Sequence, residues 1–179
     1  MIQDAQFSSV QERWSEISDF PYYSVSDWGR VRNEKRDCLI TPTRNSSGVM
    51  IVGLMLQGTQ YKRSLPLLVA RAFLPPPMQP DGKIRAAFDT PINLDGDREN
   101  NYVVNLMWRP LWYARKYFKQ FSDVHATIAN PIEDMETGDL YKNSMHAATT
   151  HGLLDFMIYL AMKNNSYVWP TGQYFREVV

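Results

Sequence analysis

Three acidic residues alternate within one short stretch of the sequence, and their carboxylates could ligate a cation. Asp95, Asp97 and Glu99 are spaced like the first ligands of a calcium-binding loop. Such a loop needs a glycine at its sixth position and a glutamate at its twelfth, but this sequence has Asn100 and Leu106 there. The pattern therefore favours a polar turn over a metal site.

Histidine and cysteine are the other side chains that bind metals or act as nucleophiles, and both are scarce here. The three histidines, His125, His146 and His151, are scattered, and the last two lie five residues apart across the end of a predicted helix. Since no carboxylate pattern accompanies them, we expect neither a zinc site nor an activated nucleophile. The single cysteine, Cys38, excludes an internal disulfide and is typical of a reducing compartment.

Lysine and arginine are the most numerous candidates for binding, and they are unevenly distributed. Residues 1–121 contain 16 of them against 12 acidic residues, whereas residues 122–179 contain 3 against 7. The resulting charges of +4 and −4 cancel, so the formal net charge of the chain is zero. A basic N-terminal part suits a polyanion and an acidic C-terminal part does not. Ordinary surface variation explains the charge difference equally well.

The elements that must position these residues begin with a predicted domain at residues 12–74. Alternating residues in "YYSVSDWGRVRN" predict a strand that enters a turn at residues 27–29, and "GVMIVGLML" predicts a further strand. Helical spacing of apolar residues over 67–74, with Pro66 at the start, predicts a helix. This domain is therefore expected to be a small antiparallel sheet with one helix, followed by a proline-rich connector at residues 75–83.

Two further domains are predicted, at residues 84–121 and 128–179. The first is expected to contain a short strand near residues 84–88, a turn at 95–101 and a helix over 110–121. The second is expected to begin with a hairpin that turns at Thr137 and Gly138. Two short helices should follow, the first with Ser144 as N-cap and Gly152 at its end, and then a closing strand. The predicted fold class is α+β.

Composition sets the broad class of the protein. Of 179 residues, 44% are hydrophobic and 13% are aromatic, which is enough apolar material for a globular core. No apolar run approaches the length of a membrane span, and the first residues lack the pattern of a secretory signal. We therefore expect a cytoplasmic protein without membrane contact.

The N-terminal stretch "ERWSEISDFPYYSVSDWGRVRN" resembles the N-terminal module of phage and intron-encoded homing endonucleases. "LLVARAFLP" resembles the segment that follows this module in the same proteins. The residues that carry the first resemblance are Trp14, Ile17, Phe20, Tyr22, Tyr23, Val25, Ser26, Gly29, Arg30, Val31 and Arg32.

The rest of the chain resembles later parts of the same proteins, in the family's order. "INLDGDRENNYVVNLMW" resembles the first half of their HNH nuclease motif, and the final segment resembles their C-terminal helical DNA-binding repeat. The resemblance implies a ββα HNH unit followed by a helix-turn-helix-like repeat. The matching residues are Asp95, Gly96, Asn100, Asn101, Asn105, Leu106 and Trp108 in the first and Gly138, Tyr141, Ser144, Ala147 and Ala148 in the second.

The resemblance also implies which residues would cut DNA. In the family, a histidine in the first strand activates water, and the residue before it and one on the following helix hold a divalent metal. Here Asn93 stands at the base position, and an amide does not accept a proton from water. The metal positions hold Ile92 and Ala114, which have no donor atom, and Pro66 replaces a histidine that relatives often carry. Only Asn105, the residue that orders the loop, is retained.

The effects of these substitutions on the rate of DNA hydrolysis multiply. Loss of a general base costs about 10²–10⁴-fold in rate, and loss of the metal removes the Lewis acid that stabilises the phosphate. We therefore expect a degenerate HNH unit with no catalytic residue, no metal and no cofactor. A divalent metal such as Mg²⁺ would be needed only if the nuclease were active.

The function that the resemblance leaves is binding of double-stranded DNA, in which Lys and Arg contacts to phosphate dominate the affinity. Ser26 and Asp27 are placed to contact DNA or, equally well, to cap their turn. Tyr22, Tyr23, Trp28, Trp108 and Trp112 are expected to be core residues, and Arg36 and Arg109 belong to the basic groups without being predicted contacts. The predicted contacts are Arg30, Arg32, Lys35, Arg44, Lys62, Arg63, Arg98, Arg115, Lys116 and Lys119.

The second C-terminal helix, within "LLDFMIYLAMKNN", has apolar residues on more than one face. Such a helix is buried or contacts a partner, and the acidic balance of this region points away from DNA. We therefore expect protein contact or self-association through the acidic, apolar C-terminal helices.

Three functions remain open on the sequence. The first is a DNA-binding protein derived from a homing endonuclease without its activity, acting as a phage regulatory or accessory protein in the cytoplasm of an infected bacterium. The second is a protein-interaction module that modulates a host or phage enzyme. The third is an active HNH endonuclease with a rebuilt site.

Overall fold

Short antiparallel strands and four helices make up the part of the chain that the computed structural model describes, namely residues 11–79, 81–122 and 125–178. The predicted α+β class is confirmed. Residue 179, the end of the third predicted domain, lies outside the described residues. No helix within these ranges is long and apolar enough to cross a membrane.

The N-terminal part contains two small sheets and one helix. The first sheet has the order β1-β2-β3-β4 and the second has the order β5-β6-β7, with all neighbours antiparallel. Their apolar faces enclose one core together with the helix α1. The helix is as predicted, but the structure has two antiparallel sheets where the sequence predicted one. The elements are β1 (Trp14–Glu16), β2 (Tyr23–Ser26), β3 (Val31–Asn33), β4 (Cys38–Ile40), β5 (Thr43–Arg44), β6 (Met50–Leu56), β7 (Thr59–Ser64) and α1 (Leu65–Phe73).

The turn between β2 and β3 packs against residues 101–103. Gly29 has a φ of +77°, and a Cβ atom at this position would lie 2.9 Å from the Cβ of Asn101. Both the conformation and the close approach therefore require glycine. Val103 N donates to the carbonyl of Asp27 at 2.8 Å, and this hydrogen bond fixes the turn to the loop that contains Val103.

The ββα unit is present, but its first strand begins later than predicted. Strands β8 (Thr90–Asn93) and β9 (Leu106–Arg109) form an antiparallel hairpin, and α2 (Leu111–Gln120) follows. The strand predicted near residues 84–88 is wrong. Phe88 N donates to the carbonyl of Arg85, which is a turn, and only an isolated bridge pairs Ile84 with residue 78.

The C-terminal part is a three-stranded sheet that packs on two helices. Strand β10 (Ile132–Asp134) lies between β11 (Leu140–Tyr141) and β12 (Phe175–Glu177), and α3 (Ser144–His151) precedes α4 (Asp155–Lys163). The predicted hairpin, helix pair and closing strand are confirmed.

The N-cap of α3 differs from the prediction. The Asn143 side chain accepts from His146 N at 2.8 Å, so Asn143 is the cap. The Ser144 hydroxyl instead accepts from Ile128 N at 2.9 Å and lies buried. Gly152 ends the helix in a left-handed conformation, as predicted.

Candidate functional site

A cleft of about 630 Å³ separates the N-terminal part from the ββα unit. Pro66, Asn93 and Ala114, three of the positions at which the sequence departs from the nuclease pattern, line it together. Since these residues come from α1, the end of β8 and the middle of α2, the fold brings the predicted nuclease positions to one place. The remaining lining residues are Ser47, Val49, Met50, Ser64, Thr90, Pro91, Arg98, Leu111, Arg115, Phe118, Lys119 and Ser122.

Asn93 is buried at the end of β8, and its amide is used to hold the neighbouring loop. Its Nδ2 donates to the carbonyl of Asn100 at 2.8 Å and to Oδ1 of Asn101 at 3.2 Å. The side chain at the predicted base position is therefore a hydrogen-bond donor to the protein. Its contacts fasten the turn that follows β8.

Ile92 and Ala114, the two predicted metal positions, lie in one hydrophobic cluster with Tyr113 and Tyr117. Ile92 is fully buried and is not among the residues that line the cleft. A Cβ atom added to Gly152 would lie 3.2 Å from Cδ1 of Ile92, so this side chain packs closely against the end of α3. Hydrocarbon fills the place where the resemblance locates ligand atoms.

The loop between β8 and β9 is held by its own amides and carboxylates. Asn105 Nδ2 donates to Oδ1 of Asp95 at 2.9 Å and to the carbonyl of Asn100 at 2.8 Å. Asp95 also accepts from the backbone of Asp97, and Asp97 accepts from the backbone of Glu99. The alternating acidic residues thus act as turn acceptors. Over the described ranges, no three His, Cys, Asp or Glu side chains group in a way that could hold a metal ion.

Three cationic side chains face the cleft. Arg98 donates from Nη1 to the carbonyl of Ser47 at 2.7 Å, and its guanidinium lies 3.8 Å from the centre of the Phe118 ring. Arg115 and Lys119 are exposed and lie one turn apart on α2. Partial burial, and secondarily the charge of Arg44, lowers the pKa of Arg98 below its ordinary value.

The predicted contact residues of the N-terminal part lie outside the cleft, and several are already paired with carboxylates. Arg30 pairs with Glu12, and Arg32 pairs with Glu34 at 3.0 Å. Both guanidinium groups also lie over the ring of Trp14, at 5.8 and 4.7 Å from its centre.

The remaining predicted contacts of this part are spread over its surface. Arg44 pairs with Glu99 at 2.5 Å. Arg63 lies over the Phe20 ring at 4.8 Å, and Lys35 lies over the Tyr22 ring at 5.7 Å. Lys62 is exposed on β7.

Comparison with known proteins assigns a family to the N-terminal part. The sequence of residues 12–55 matches the family described as "NUMOD4 motif". This motif is found in homing endonucleases, so the resemblance drawn from Trp14, Gly29 and their neighbours is confirmed over this segment.

Two further comparisons concern the whole chain. No curated protein matches it. A solved structure described as "DNA binding and cleavage by the HNH homing endonuclease I-HmuI" is similar, with 20% sequence identity and a TM-score of 0.49. The match covers 93% of this chain and 98% of that chain.

Ser26 and Asp27, inside the NUMOD4 motif, are buried and cap their turn. The Ser26 hydroxyl accepts from Arg30 N at 3.0 Å. Asp27 accepts from Arg13 N at 3.0 Å and from Arg13 Nε at 2.8 Å. Burial is the largest single influence on this carboxyl and opposes its ionisation. The Arg13 hydrogen bonds and charge together outweigh it, so the pKa of Asp27 lies below the ordinary 3.8.

The expected core positions of the aromatic residues are only partly correct. Tyr23 is buried, and Trp28 and Trp108 are partly buried. Tyr22 and Trp112 are not core residues, because they are 64% and 50% exposed. Tyr22 sits at a positive φ that turns the chain before β2, and Trp112 lies on the outward face of α2.

Arg109 is a structural residue and not part of a basic surface. It is buried at the end of β9, where Nε donates to the carbonyl of Gly152 at 3.0 Å and Nη2 to that of His151 at 2.7 Å. Burial lowers the pKa of Arg109 below its ordinary value. The sequence gives no signal for this role, since its partners lie more than forty positions away.

Sequence reasoning also missed the residues that shape the cleft wall. Gly48 has a φ of +79° in a turn that aims the Ser47 carbonyl at Arg98. Phe118 supplies the ring on which Arg98 lies. The one sequence feature that indicates part of this wall is the spacing of Arg115 and Phe118, because residues three apart on a helix lie on the same face.

Proposed function

We propose that the protein binds double-stranded DNA and does not cut it. The NUMOD4 motif supports the binding, because this motif is found in homing endonucleases, and DNA is the substrate of such enzymes. The cations along the cleft support it as well, since phosphate contacts supply most of the affinity for DNA.

The main support for the proposal is the type of side chain that lines the cleft. The cleft is lined by Arg98, Arg115 and Lys119, and among the described residues no carboxylate or imidazole belongs to its lining. A cation-lined cleft attracts phosphate, whereas hydrolysis needs a proton acceptor and, in this family, a metal. Asn93 supplies no proton acceptor, because an amide is not basic and its Nδ2 already donates to the loop.

The buried metal positions support the same view. A divalent cation needs oxygen or nitrogen ligands at about 2.0–2.6 Å, and Ile92 and Ala114 present hydrocarbon to one another and to Tyr113. An active endonuclease would need a site rebuilt elsewhere. We therefore regard Ile92, Asn93, Asn105 and Ala114 as vestigial positions, of which Asn105 keeps its structural role.

The proposed biological role is that of a phage regulatory or accessory protein that acts in the cytoplasm of an infected bacterium. Its support is the resemblance to phage and intron-encoded homing endonucleases, together with the NUMOD4 motif. We further propose that residues 12–74, 84–121 and 128–179 are three domains, with the last derived from a helix-turn-helix-like DNA-binding repeat.

A second candidate function is contact with another protein through α4. Phe156 is 59% exposed and Leu160, one turn later, is 37% exposed, while Tyr159 lies beside Phe156 with ring centres 6.0 Å apart. An exposed apolar stripe of this kind is typical of a helix that meets a partner. The partner would be a second copy of the chain or another protein.

A salt titration of DNA binding tests the proposed function. We expect a labelled duplex to bind at low salt, with the logarithm of affinity falling by roughly 0.9 per phosphate contact for each unit of log salt concentration. The Lys142→Gln variant, which alters an exposed cation of the acidic C-terminal part, is the control and should leave the slope unchanged. An absence of duplex binding at low salt contradicts the proposal.

A further inference from the structure

We infer that Arg98 is a fixed cationic clamp that holds a phosphate oxygen in the cleft where the family holds a metal ion, so that phosphate binding here needs no metal. The inference rests on the proposed function and names the chemical group that the cleft takes. Its first support is position, because Arg98 lines the same cleft as Asn93 and Ala114.

Arg98 is held in place before any ligand arrives. Its guanidinium lies 3.8 Å from the centre of the Phe118 ring and donates one hydrogen bond, to Ser47, across the cleft wall. Its Cδ passes 3.6 Å from where a Cβ on Gly48 would be, so the stem is also confined. An arginine has five N–H donors in a planar fork, and within the described residues Arg98 uses one of them. The others are available for an oxyanion.

The described residues do not neutralise the charge of the cleft. Within the described ranges, Arg98, Arg115 and Lys119 form no ion pair. Glu99, which is next to Arg98 in the chain, pairs with Arg44 at 2.5 Å. Partial burial and the nearby Arg44 already disfavour the charged form of Arg98, so a bound anion would relieve both costs.

The cleft has room for more than one phosphate group, since its volume is about 630 Å³. Ser47, Ser64, Thr90 and Ser122 are among its lining residues. The hydroxyls of Thr90 and Ser122 already donate to Asp89 and to the carbonyl of Lys119, so Ser47 and Ser64 are the ones that can donate to phosphate oxygens beside the guanidinium fork. Arg115 and Lys119 continue the positive surface along α2, which suits a chain of phosphates better than a single ion. The backbone of DNA is therefore the expected source, and free phosphate is the other.

The test compares duplex binding by wild type, Arg98→Gln, Arg98→Lys and the charge-matched control Arg71→Gln, with EDTA and with Mg²⁺. Arg71 is exposed on α1 and lies outside the cleft. We expect wild-type affinity to be the same in both buffers. We expect Arg98→Gln to weaken binding about tenfold, and Arg98→Lys to weaken it nearly as much, because an ammonium cannot supply the planar fork. Arg71→Gln should stay within about twofold of wild type.

A second experiment tests whether the bound phosphate belongs to DNA or is free phosphate. The side-chain Nε–H signal of Arg98 is followed by NMR while inorganic phosphate or a short duplex is added to the full chain. We expect the duplex to shift this signal at micromolar concentration and inorganic phosphate to do so only at far higher concentration. A shift by inorganic phosphate alone would overturn DNA as the source.

Failure of the inference can be told apart from failure of the proposed function. If wild type binds no duplex, the proposed function fails. If wild type binds duplex but Arg98→Gln and Arg98→Lys bind like Arg71→Gln, or if EDTA abolishes binding, only the metal-independent clamp is overturned. Thermal unfolding of each variant establishes that it is folded, and Arg98→Lys keeps the charge if Arg98→Gln does not fold.

Discussion

The two hairpins that carry the family's motifs, β2–β3 and β8–β9, use their polar residues in opposite ways. In the NUMOD4 motif, Arg13, Arg30 and Arg32 each pair with a carboxylate of the protein. Around the second hairpin, the described cations of the cleft have no carboxylate partner. The arginines around the first hairpin are thus paired with carboxylates, whereas the cations that line the cleft beside the second hairpin form no ion pair among the described residues.

Side chains fix the turn in both hairpins. Gly29 and Asp27 fix the first turn, and Asn105 and Asn101 fix the second. The second hairpin also carries Ile92 and Asn93, at positions to which the family resemblance assigns metal binding and catalysis. There Ile92 lies in a hydrophobic cluster, and the Asn93 amide donates to the loop.

The largest expected effect is on stability and comes from restoring a carboxylate at the buried metal position. Ile92→Asp should lower the free energy of unfolding by about 4 kcal/mol or more, because it places an unpaired acid in the hydrophobic cluster and leaves a cavity. The control Ile92→Val should cost about 1 kcal/mol. Urea unfolding measures both. A folded Ile92→Asp protein that gains affinity for Mg²⁺ would mean that this position still faces a metal site.

An intermediate effect is expected when paired and unpaired cations are compared in DNA binding. The double variant of Arg115→Gln and Lys119→Gln should reduce the salt slope by roughly 0.9 per residue lost. The double variant of Arg30→Gln and Arg32→Gln should reduce it by less than half as much, because these guanidinium groups must first leave Glu12 and Glu34. Anisotropy titrations over a salt series measure both slopes. Equal losses would break the distinction between the two hairpins.

The smallest expected effect is the pH dependence that Asp27 gives to the first hairpin. Its folded pKa lies below the ordinary 3.8, so the unfolded chain takes up the proton first as pH falls. The stabilisation by the Asp27 carboxylate is therefore complete above the unfolded value and is lost as pH falls through the folded value. Urea unfolding of wild type and Asp27→Asn between pH 6 and pH 3 should converge towards low pH. Parallel curves would show that the Arg13 pair does not stabilise the turn.

The sequence predicts local features well, because they depend on neighbouring residues. The turns at residues 27–29 and 137–138, the helix over 110–121 and the left-handed Gly152 follow from glycine positions and periodicity. The wrong strand near residues 84–88 has a local pattern too. Two exposed alanines form a turn there instead, and among the described residues this segment pairs only through the isolated bridge between Ile84 and Met78.

The sequence predicts only some of the residues of the candidate site. The positions of Asn93 and Ala114 can be placed by resemblance to the family motif, but the contacts of Arg98 join residues about fifty and twenty positions apart. The role of Arg109 is hidden from the sequence for the same reason. Its carbonyl partners lie at the end of α3, and no local pattern around Arg109 indicates them. Long-range contacts of this kind depend on packing and not on local spacing.

The most direct measurement of the central claim is incubation of supercoiled plasmid with protein at a concentration that saturates it, in Mg²⁺, in Mn²⁺ and in EDTA. The account predicts equal binding in all three buffers and plasmid that stays supercoiled throughout, because no carboxylate or imidazole of the described residues lines the cleft. Nicked plasmid that forms with either metal, disappears with the chelator and is abolished by Asn93→Ala would contradict it.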